Sequence, residues 1–282
     1  MAGERILLVG RGHLGKFLRE RLRVDGDLHW IAELAELDEG SLKRMHPSAV
    51  VNTAGKTDLR WCEDHPAETF RSNASAPLEL YRRIKAACGP EVPFVHLSSG
   101  CVWDGPYRAD GKPFGPDDPP APACFYSWTK AAGDAMLLRE APGGALVILR
   151  PRQVYSPLKA ERNTLSKLAR YPQLIDTPNS MTSAETIAKT IERVLAPGGE
   201  AARGRILCVY ERGVTSPFEV GTFLAQAGLR KKPERISKAD LDQTLKPKRV
   251  DTVLSDPCFE ALVDPPAAQD ELKRVIAAYA KA

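Results

Sequence analysis

The amino-acid sequence predicts an α/β protein, a doubly wound parallel sheet followed by a smaller C-terminal lobe. Two observations predict it. Short apolar runs alternate with helical patterns through the first two-thirds of the 282 residues, and strands joined through helices form parallel sheets covered on both faces. A glycine-rich turn, Gly10-Arg11-Gly12-His13-Leu14-Gly15, also joins the first apolar run to the first helical pattern.

The elements follow in order. Residues 6–9 read as a buried strand, and the next helix sets Leu14, Phe17, Leu18 and Leu22 on one face. Residues 28–31, 49–52, 93–97 and 146–149 read as further strands. A helix around 75–87 aligns Leu80, Ile84 and Ala87. From about 154 the chain is less regular and richer in proline and basic residues. It still holds an apolar helix at 183–195 and a strand at 205–209. The terminal helix aligns Leu272, Val275, Ile276 and Tyr279 at i, i+3, i+4, i+7. The expected division is a nucleotide-binding domain over 1–153 and a substrate-binding lobe over 154–282, with the 183–195 helix packing back on the first domain.

Composition narrows the function. A hydrophobic fraction of 43% and a charged fraction of 27% are those of a soluble globular protein. The net charge of +4 is spread along the chain, with no basic tract or interleaved aromatic patch, so nucleic acid is not an expected partner. Six cysteines (62, 88, 101, 124, 208, 258) form no Cys-x-x-Cys pair and do not cluster with the five histidines. That pattern predicts no metal site and no disulfide framework, as in a reducing compartment. The N-terminus runs almost directly into a strand, and no apolar stretch is long enough to span a bilayer. The expectation is a cytoplasmic protein.

The chemistry begins at the glycine turn. Gly10 and Gly12 permit a tight turn close to a pyrophosphate, Gly15 lets helix and strand pack closely, and the helix N-terminus offers free N–H groups. This is the fingerprint of a Rossmann-type dinucleotide site. Glu33, 23 residues after Gly10, suits an adenosine ribose 2′-hydroxyl and favours NADH. Arg11 in the turn suits a 2′-phosphate and favours NADPH. Both cofactors stay open.

The second motif is Ser99 with Tyr126 and Lys130. Residues four apart share a helix face, so the Lys130 ammonium is expected beside the Tyr126 phenol, where a cation lowers its pKa toward a useful range. Ser99 would hydrogen-bond a substrate oxygen, and Lys130 would also hold the nicotinamide ribose. A bare Tyr-x-x-x-Lys is a weak signal. It gains weight after a nucleotide turn and a strand ending in Ser98-Ser99.

These residues resemble the extended short-chain dehydrogenase/reductase superfamily, and within it the dTDP-4-dehydrorhamnose reductase branch. Asn52-Thr-Ala54-Gly55 is similar to the branch's cofactor-binding segment after the third strand. HLSSGCVWDG (96–105) and FYSWTKAAGD (125–134) are similar to its catalytic strand and helix. A closer resemblance is to the bifunctional 3,5-epimerase/4-reductases that complete nucleotide-activated L-rhamnose in plants and some viruses. It rests on Trp61-Cys62-Glu63, Ser99-Gly100-Cys101, NTLSKLARY (163–171) and Pro-Asn-Ser-Met-Thr (178–182). The likeness covers about 5–195 well and the last 85 or so residues loosely.

The resemblance implies that Cys101 and Lys167 are an acid/base pair acting at C3 and C5 of a UDP- or dTDP-linked 4-keto sugar. It places Gly100, Trp103, Asn163 and Asn179 at the substrate, and leaves a homodimer open. Arg249, with Lys246 and Lys248, reads either as a grip on the substrate diphosphate or as an exposed basic turn. The chemistry is consistent: protons beside a carbonyl are acidic because the enolate places charge on O4, where Ser99 and Tyr126 point. The chain departs from the branch in a dinucleotide turn one residue shorter and a shortened segment from Gly55 to Arg60. The expected function is therefore epimerisation followed by 4-keto reduction. The alternatives are a single-function reductase, a nucleotide-fucose-type synthase, disfavoured because its acid is usually histidine, and a non-catalytic NADP-binding regulatory subunit.

Overall fold

The runs of Val, Ile and Leu read above become strands buried on both faces, in a computed structural model that describes residues 5–22, 27–31, 34–142 and 144–282. The strands are β1 (Arg5–Val9), β2 (Asp27–Ile31), β3 (Ala49–Asn52), β4 (Phe94–Leu97), β5 (Leu146–Pro151), β6 (Val154–Tyr155), β7 (Gln173–Leu174), β8 (Thr182–Ser183), β9 (Arg205–Val209) and β10 (Glu234–Arg235). The central sheet has the order β2-β1-β3-β4-β5-β9, all parallel. Two small parallel pairs, β6 with β8 and β7 with β10, lie outside it.

The helices are α1 (His13–Arg21), α2 (Glu39–Met45), α3 (Leu59–Asp64), α4 (Pro66–Phe70), α5 (Ala76–Cys88), α6 (Phe125–Glu140) and α7 (Thr164–Arg170). They continue as α8 (Ala184–Leu195), α9 (Pro217–Gln226), α10 (Lys238–Thr244), α11 (Pro257–Val263) and α12 (Ala268–Lys281). Strand alternation sorts the core into two layers. Ile6, Leu8, Val51 and Val147 face Phe17 and Leu18 of α1 and Ile187 and Ile191 of α8. Leu7, Val9, Val50 and Ile148 face Leu42 of α2, Leu80 and Ile84 of α5 and Leu137 of α6. Burying a side chain of this size stabilises by roughly 1.5–3 kcal/mol.

The order reverses between β1 and β3, and ligands of such sheets enter the crevice beyond the strand ends at that point. The Gly10–Gly15 turn and the 53–55 segment meet there. β9 returns to the sheet beside β5, and α8 packs on α1. The C-terminal lobe has its own core, formed by Leu165 and Leu168 of α7, Val220 and Leu224 of α9, and Leu272, Val275 and Ile276 of α12.

One feature escapes the periodicity. Between α4 and α5 the chain makes a π-helical turn, Arg71–Ser75, of the kind that often marks functional sites. The turn presents Asn73, fully buried, whose Oδ1 accepts from the Lys56 N–H at 2.8 Å. Its Nδ2 donates to the Lys56 carbonyl at 3.0 Å and to Thr129 Oγ1 on α6 at 3.2 Å. One side chain thus fixes the 53–58 segment against the helix carrying Tyr126 and Lys130.

Candidate active site

The glycine turn has the space and polarity a dinucleotide needs. Gly10 has φ +108°, and a Cβ there would lie 2.6 Å from Thr53 Oγ1 and 2.7 Å from the Ala54 nitrogen. At Gly15 a Cβ would meet the Gly10 carbonyl oxygen at 1.9 Å, whereas at Gly12 it would meet nothing within 4 Å. Gly12 caps α1 without a side-chain hydrogen bond, so the first N–H groups of α1 face that open space, where an anion is favoured. These residues fit a pyrophosphate.

Beside the turn, Trp30 Nε1 donates to the Gly10 carbonyl at 3.0 Å. Arg11 donates to the Trp30 carbonyl at 3.3 Å and lies 3.6 Å from Glu36. Arg19 lies over the Trp30 ring at 4.6 Å. Trp30 and Arg19 carried no signal in the sequence, since their contacts join β2 to the turn and to α1. Glu33 lies outside the described residues. Asn52 is buried: its Oδ1 accepts from the Ala54 N–H at 3.1 Å, and its amide stands 3.2 Å from His96 Nδ1. It therefore shapes the 53–55 turn from beneath. Gly55 is open to solvent, and a Cβ there would lie 3.9 Å from Lys130 Nζ.

At the ends of β3 and β4 the catalytic candidates converge. Ser99 follows β4, and its hydroxyl accepts from the Cys101 N–H at 3.1 Å. Lys130, buried in α6, donates to the Leu97 carbonyl at 2.8 Å. Burial lowers its pKa to about 8, with Asp134 one turn away opposing, so the ammonium is still the main form at neutral pH. Tyr126 does not behave as the spacing predicted. Burial, and next the neighbouring Cys101 sulfur, push its phenol above the ordinary value, while a hydrogen bond with Ser99 pulls the other way. Desolvation outweighs the expected help from Lys130, and the phenol is held neutral.

The remaining candidates divide between the cleft and its supports. Cys101 is half-buried, and its sulfur accepts from Arg152 Nη1 at 2.7 Å. Lys167 is half-buried on α7. Its pKa is lowered by burial first, then by the charges of Arg249 and Arg162. His13 in the glycine turn is lowered to about 4, by burial and then by Lys167, which places the turn within electrostatic reach of α7. Arg249 is exposed.

Four residues that the resemblance places at the substrate are buried, as Ser99, Tyr126 and Lys130 also are. Gly100 packs where a Cβ would meet Leu254 at 3.1 Å. Trp103 stacks on Phe114 at 5.5 Å and donates to the Asp118 carbonyl at 3.3 Å. Asn163 caps α7 and donates to the Ser156 and Leu158 carbonyls at 2.8 and 2.7 Å. Asn179 accepts from Arg152 and from the Thr252 N–H, each at 2.9 Å, and donates to Asp251 at 2.7 Å. The polar side chains of Trp103, Asn163 and Asn179 are thus hydrogen-bonded within the protein. Arg152, Asn73 and His96 are the buried polar residues that reading the sequence missed. Nothing in their local pattern marks them, because each partner lies far away in the chain.

Fold and site together define a class of protein, the oxidoreductases of the extended short-chain dehydrogenase/reductase type. The family described as the RmlD substrate binding domain matches residues 4–280, and the chain belongs to it. Over 230 residues it is 30% identical to the dTDP-4-dehydrorhamnose reductase of Mycobacterium tuberculosis, covering 77% of this chain and 74% of that one. Over 151 residues it is 32% identical to the bifunctional dTDP-4-dehydrorhamnose 3,5-epimerase/dTDP-4-dehydrorhamnose reductase of Arabidopsis thaliana, covering 50% and 48%. The dTDP-4-dehydrorhamnose reductase of Bacillus anthracis, solved in complex with NADP, shares the fold with a TM-score of 0.82. That match is 18% identical and covers 98% of this chain and 99% of that one.

Proposed function

We propose that the chain reduces the 4-keto group of a UDP- or dTDP-linked 4-keto-6-deoxyhexose with NADPH or NADH. The observation that carries this is Tyr126, a neutral phenol hydrogen-bonded to Ser99 at the end of β4, on the same helix as the Lys130 ammonium. The bound dinucleotide supplies a hydride to C4. Ser99 donates to O4 and orients the carbonyl, and Tyr126 gives its proton to O4 as the C4–O bond becomes an alcohol. Lys130 holds the ribose beside Gly55. The glycine turn holds the pyrophosphate on the α1 N-terminus, and Arg249 meets the sugar nucleotide's diphosphate at the open side.

Reduction is the primary reading, because the relative matched over most of the chain is named for reduction alone. The sequence placed the bifunctional enzyme first. That second reading is favoured by one specific arrangement: Cys101 lies close enough to act on Tyr126, while Lys167 is lowered by burial first and then by Arg249 and Arg162. A thiol beside the O4-binding groups and an amine on α7 are the residue types that proton exchange at C3 and C5 requires.

NMR of the purified protein with UDP- or dTDP-4-keto-6-deoxyglucose in deuterated water, before and after NADPH is added, tests both readings. Turnover to a 6-deoxyhexose nucleotide on adding cofactor supports reduction. Deuterium at C3 and C5 before addition supports the second activity. No turnover with either nucleotide, including pre-epimerised sugar, overturns the reductase reading.

A further inference from the structure

Two arginines leave β5 side by side, and they are neutralised differently. Arg150 closes on Asp134 at 2.9 Å, both side chains being buried. Arg152 is equally buried, yet among the described residues no carboxylate lies within ion-pair distance of it. Its Nη1 donates to the Cys101 sulfur at 2.7 Å. Its Nη2 donates to Asn179 Oδ1 at 2.9 Å and to the Val250 carbonyl. Its own N–H donates to Thr182 Oγ1 at 2.8 Å. A buried guanidinium costs several kcal/mol unless it is paired and hydrogen-bonded. Of the groups hydrogen-bonded to it, only the Cys101 sulfur can become an anion, while the buried Asp251 carboxylate, bonded to Asn179, acts on it from beyond ion-pair distance.

The Pro-Asn-Ser-Met-Thr run at 178–182 gains a physical explanation here. Asn179 and Thr182 carry the hydrogen bonds that hold Arg152. Asn179 is itself braced by Asp251 and by the Thr252 N–H, and the Ser180 hydroxyl accepts from the Leu254 N–H at 2.9 Å. The run thus forms a cradle for a cation aimed at Cys101.

We propose that Arg152 is a positioning residue for Cys101, fixing its sulfur beside the substrate carbonyl and balancing the charge the sulfur carries between proton transfers. The proposal rests on the epimerase reading above. In that exchange the electron pair of a C–H bond moves into the enolate and on to O4. One member of the Cys101–Lys167 pair takes that proton and the other returns one to the opposite face of the same carbon. In either direction the sulfur is without its proton for part of the cycle, and the always-charged guanidinium faces it.

Arg152→Gln and Arg152→Lys of the holoprotein test this through two readouts. The first is alkylation of Cys101 by iodoacetamide, located by peptide mass spectrometry, which reports the sulfur anion as an S–C bond forms and iodide leaves. The second is deuterium exchange at C3 and C5 relative to reduction of a pre-epimerised sugar. Arg152→Gln is expected to slow alkylation at least tenfold and to lower the exchange-to-reduction ratio by a similar factor. Arg152→Lys, which keeps charge but loses the two-pronged hold, is expected to lower both at least threefold, and it decides the matter where the glutamine variant does not fold. Either variant, folded and binding cofactor, with both readouts at the unsubstituted level overturns the proposal. Reduction without any exchange in the unsubstituted protein ends the epimerase reading instead, while the alkylation readout still decides whether Arg152 governs the sulfur.

Discussion

His13 Nε2 stands 2.7 Å from Ser156 Oγ, and this contact joins the glycine turn to the segment that leads into α7. Ser156 is in turn bound by Asn163, the cap of α7, and Lys167 lies one turn further on. The turn that faces the dinucleotide and the helix that carries Lys167 therefore share one short polar bridge.

That bridge has a pH signature. The folded His13 titrates near 4 rather than 6.5, so between those values the unfolded chain binds a proton that the folded chain does not. Stability rises with pH across this window and is lost on acidification from 6.5 toward 4. After allowance for partial exposure, His13 accounts for roughly 2 kcal/mol of that loss. Urea unfolding at pH 7.5 and 4.5 is expected to show a smaller acid loss in His13→Gln than in the unsubstituted protein. Equal losses would rule out His13 as a source.

Tyr126→Phe removes the proton donor while leaving Cys101 and Lys167 in place. Reduction is expected to fall by roughly 10³-fold, with deuterium exchange at C3 and C5 still measurable. Loss of both with cofactor still bound would mean that the two activities do not have separate residues.

Cys101→Ser is expected to do the reverse, lowering exchange by roughly a hundredfold or more and affecting reduction of a pre-epimerised sugar far less. Stopped-flow reduction together with NMR exchange on one preparation gives both numbers. An equal fall in the two rates would refute the division of labour.

The Lys167 pKa is lowered by burial first and next by the positive charge of Arg249. Arg249→Gln removes that repulsion, so the Lys167 pKa rises and the base-dependent limb of exchange at saturating substrate moves to higher pH. A profile that stays in place, or moves toward acid, would separate the two residues.

Gly133 lies on α6 where a Cβ would sit 2.6 Å from the Asn73 carbonyl oxygen of the π-helical turn. Gly133→Ala is expected to force the two apart, costing roughly 1–3 kcal/mol and loosening Asn73 from Lys56 and Thr129. Thermal melting with cofactor titration would show both a lower Tm and weaker binding. An unchanged Tm would show that the backbone gives way without loss.

Much of the architecture is local, and for that reason it was legible. The runs of Val, Ile and Leu at 6–9, 49–52 and 146–149 are too apolar to lie anywhere but a doubly covered sheet. Gly10, Gly12 and Gly15 do their work through backbone sterics within six residues. Ser99, Tyr126 and Lys130 stand out as candidates because the end of β4 and α6 each carry their own motif. The Tyr126 titration was not foreseen, because burial is a property of the assembled site and here exceeds the influence of a lysine four residues away. Asn179 and Trp103 bond to segments far along the chain, which no local pattern shows, whereas the Asn163 bonds stay within seven residues.

The sequence by itself determined the sheet and the glycine turn, and it singled out the residues proposed to react, since these depend on short-range pattern and residue chemistry. Only the tertiary structure decided what surrounds those groups. It set β9 beside β5, inserted Asn73 between Lys56 and Thr129, and turned Arg152 onto Cys101 through a cradle from residues 179–182 and 250–252. Those are contacts between segments 17 to 98 residues apart. They depend on how the layers pack rather than on what any one stretch prefers.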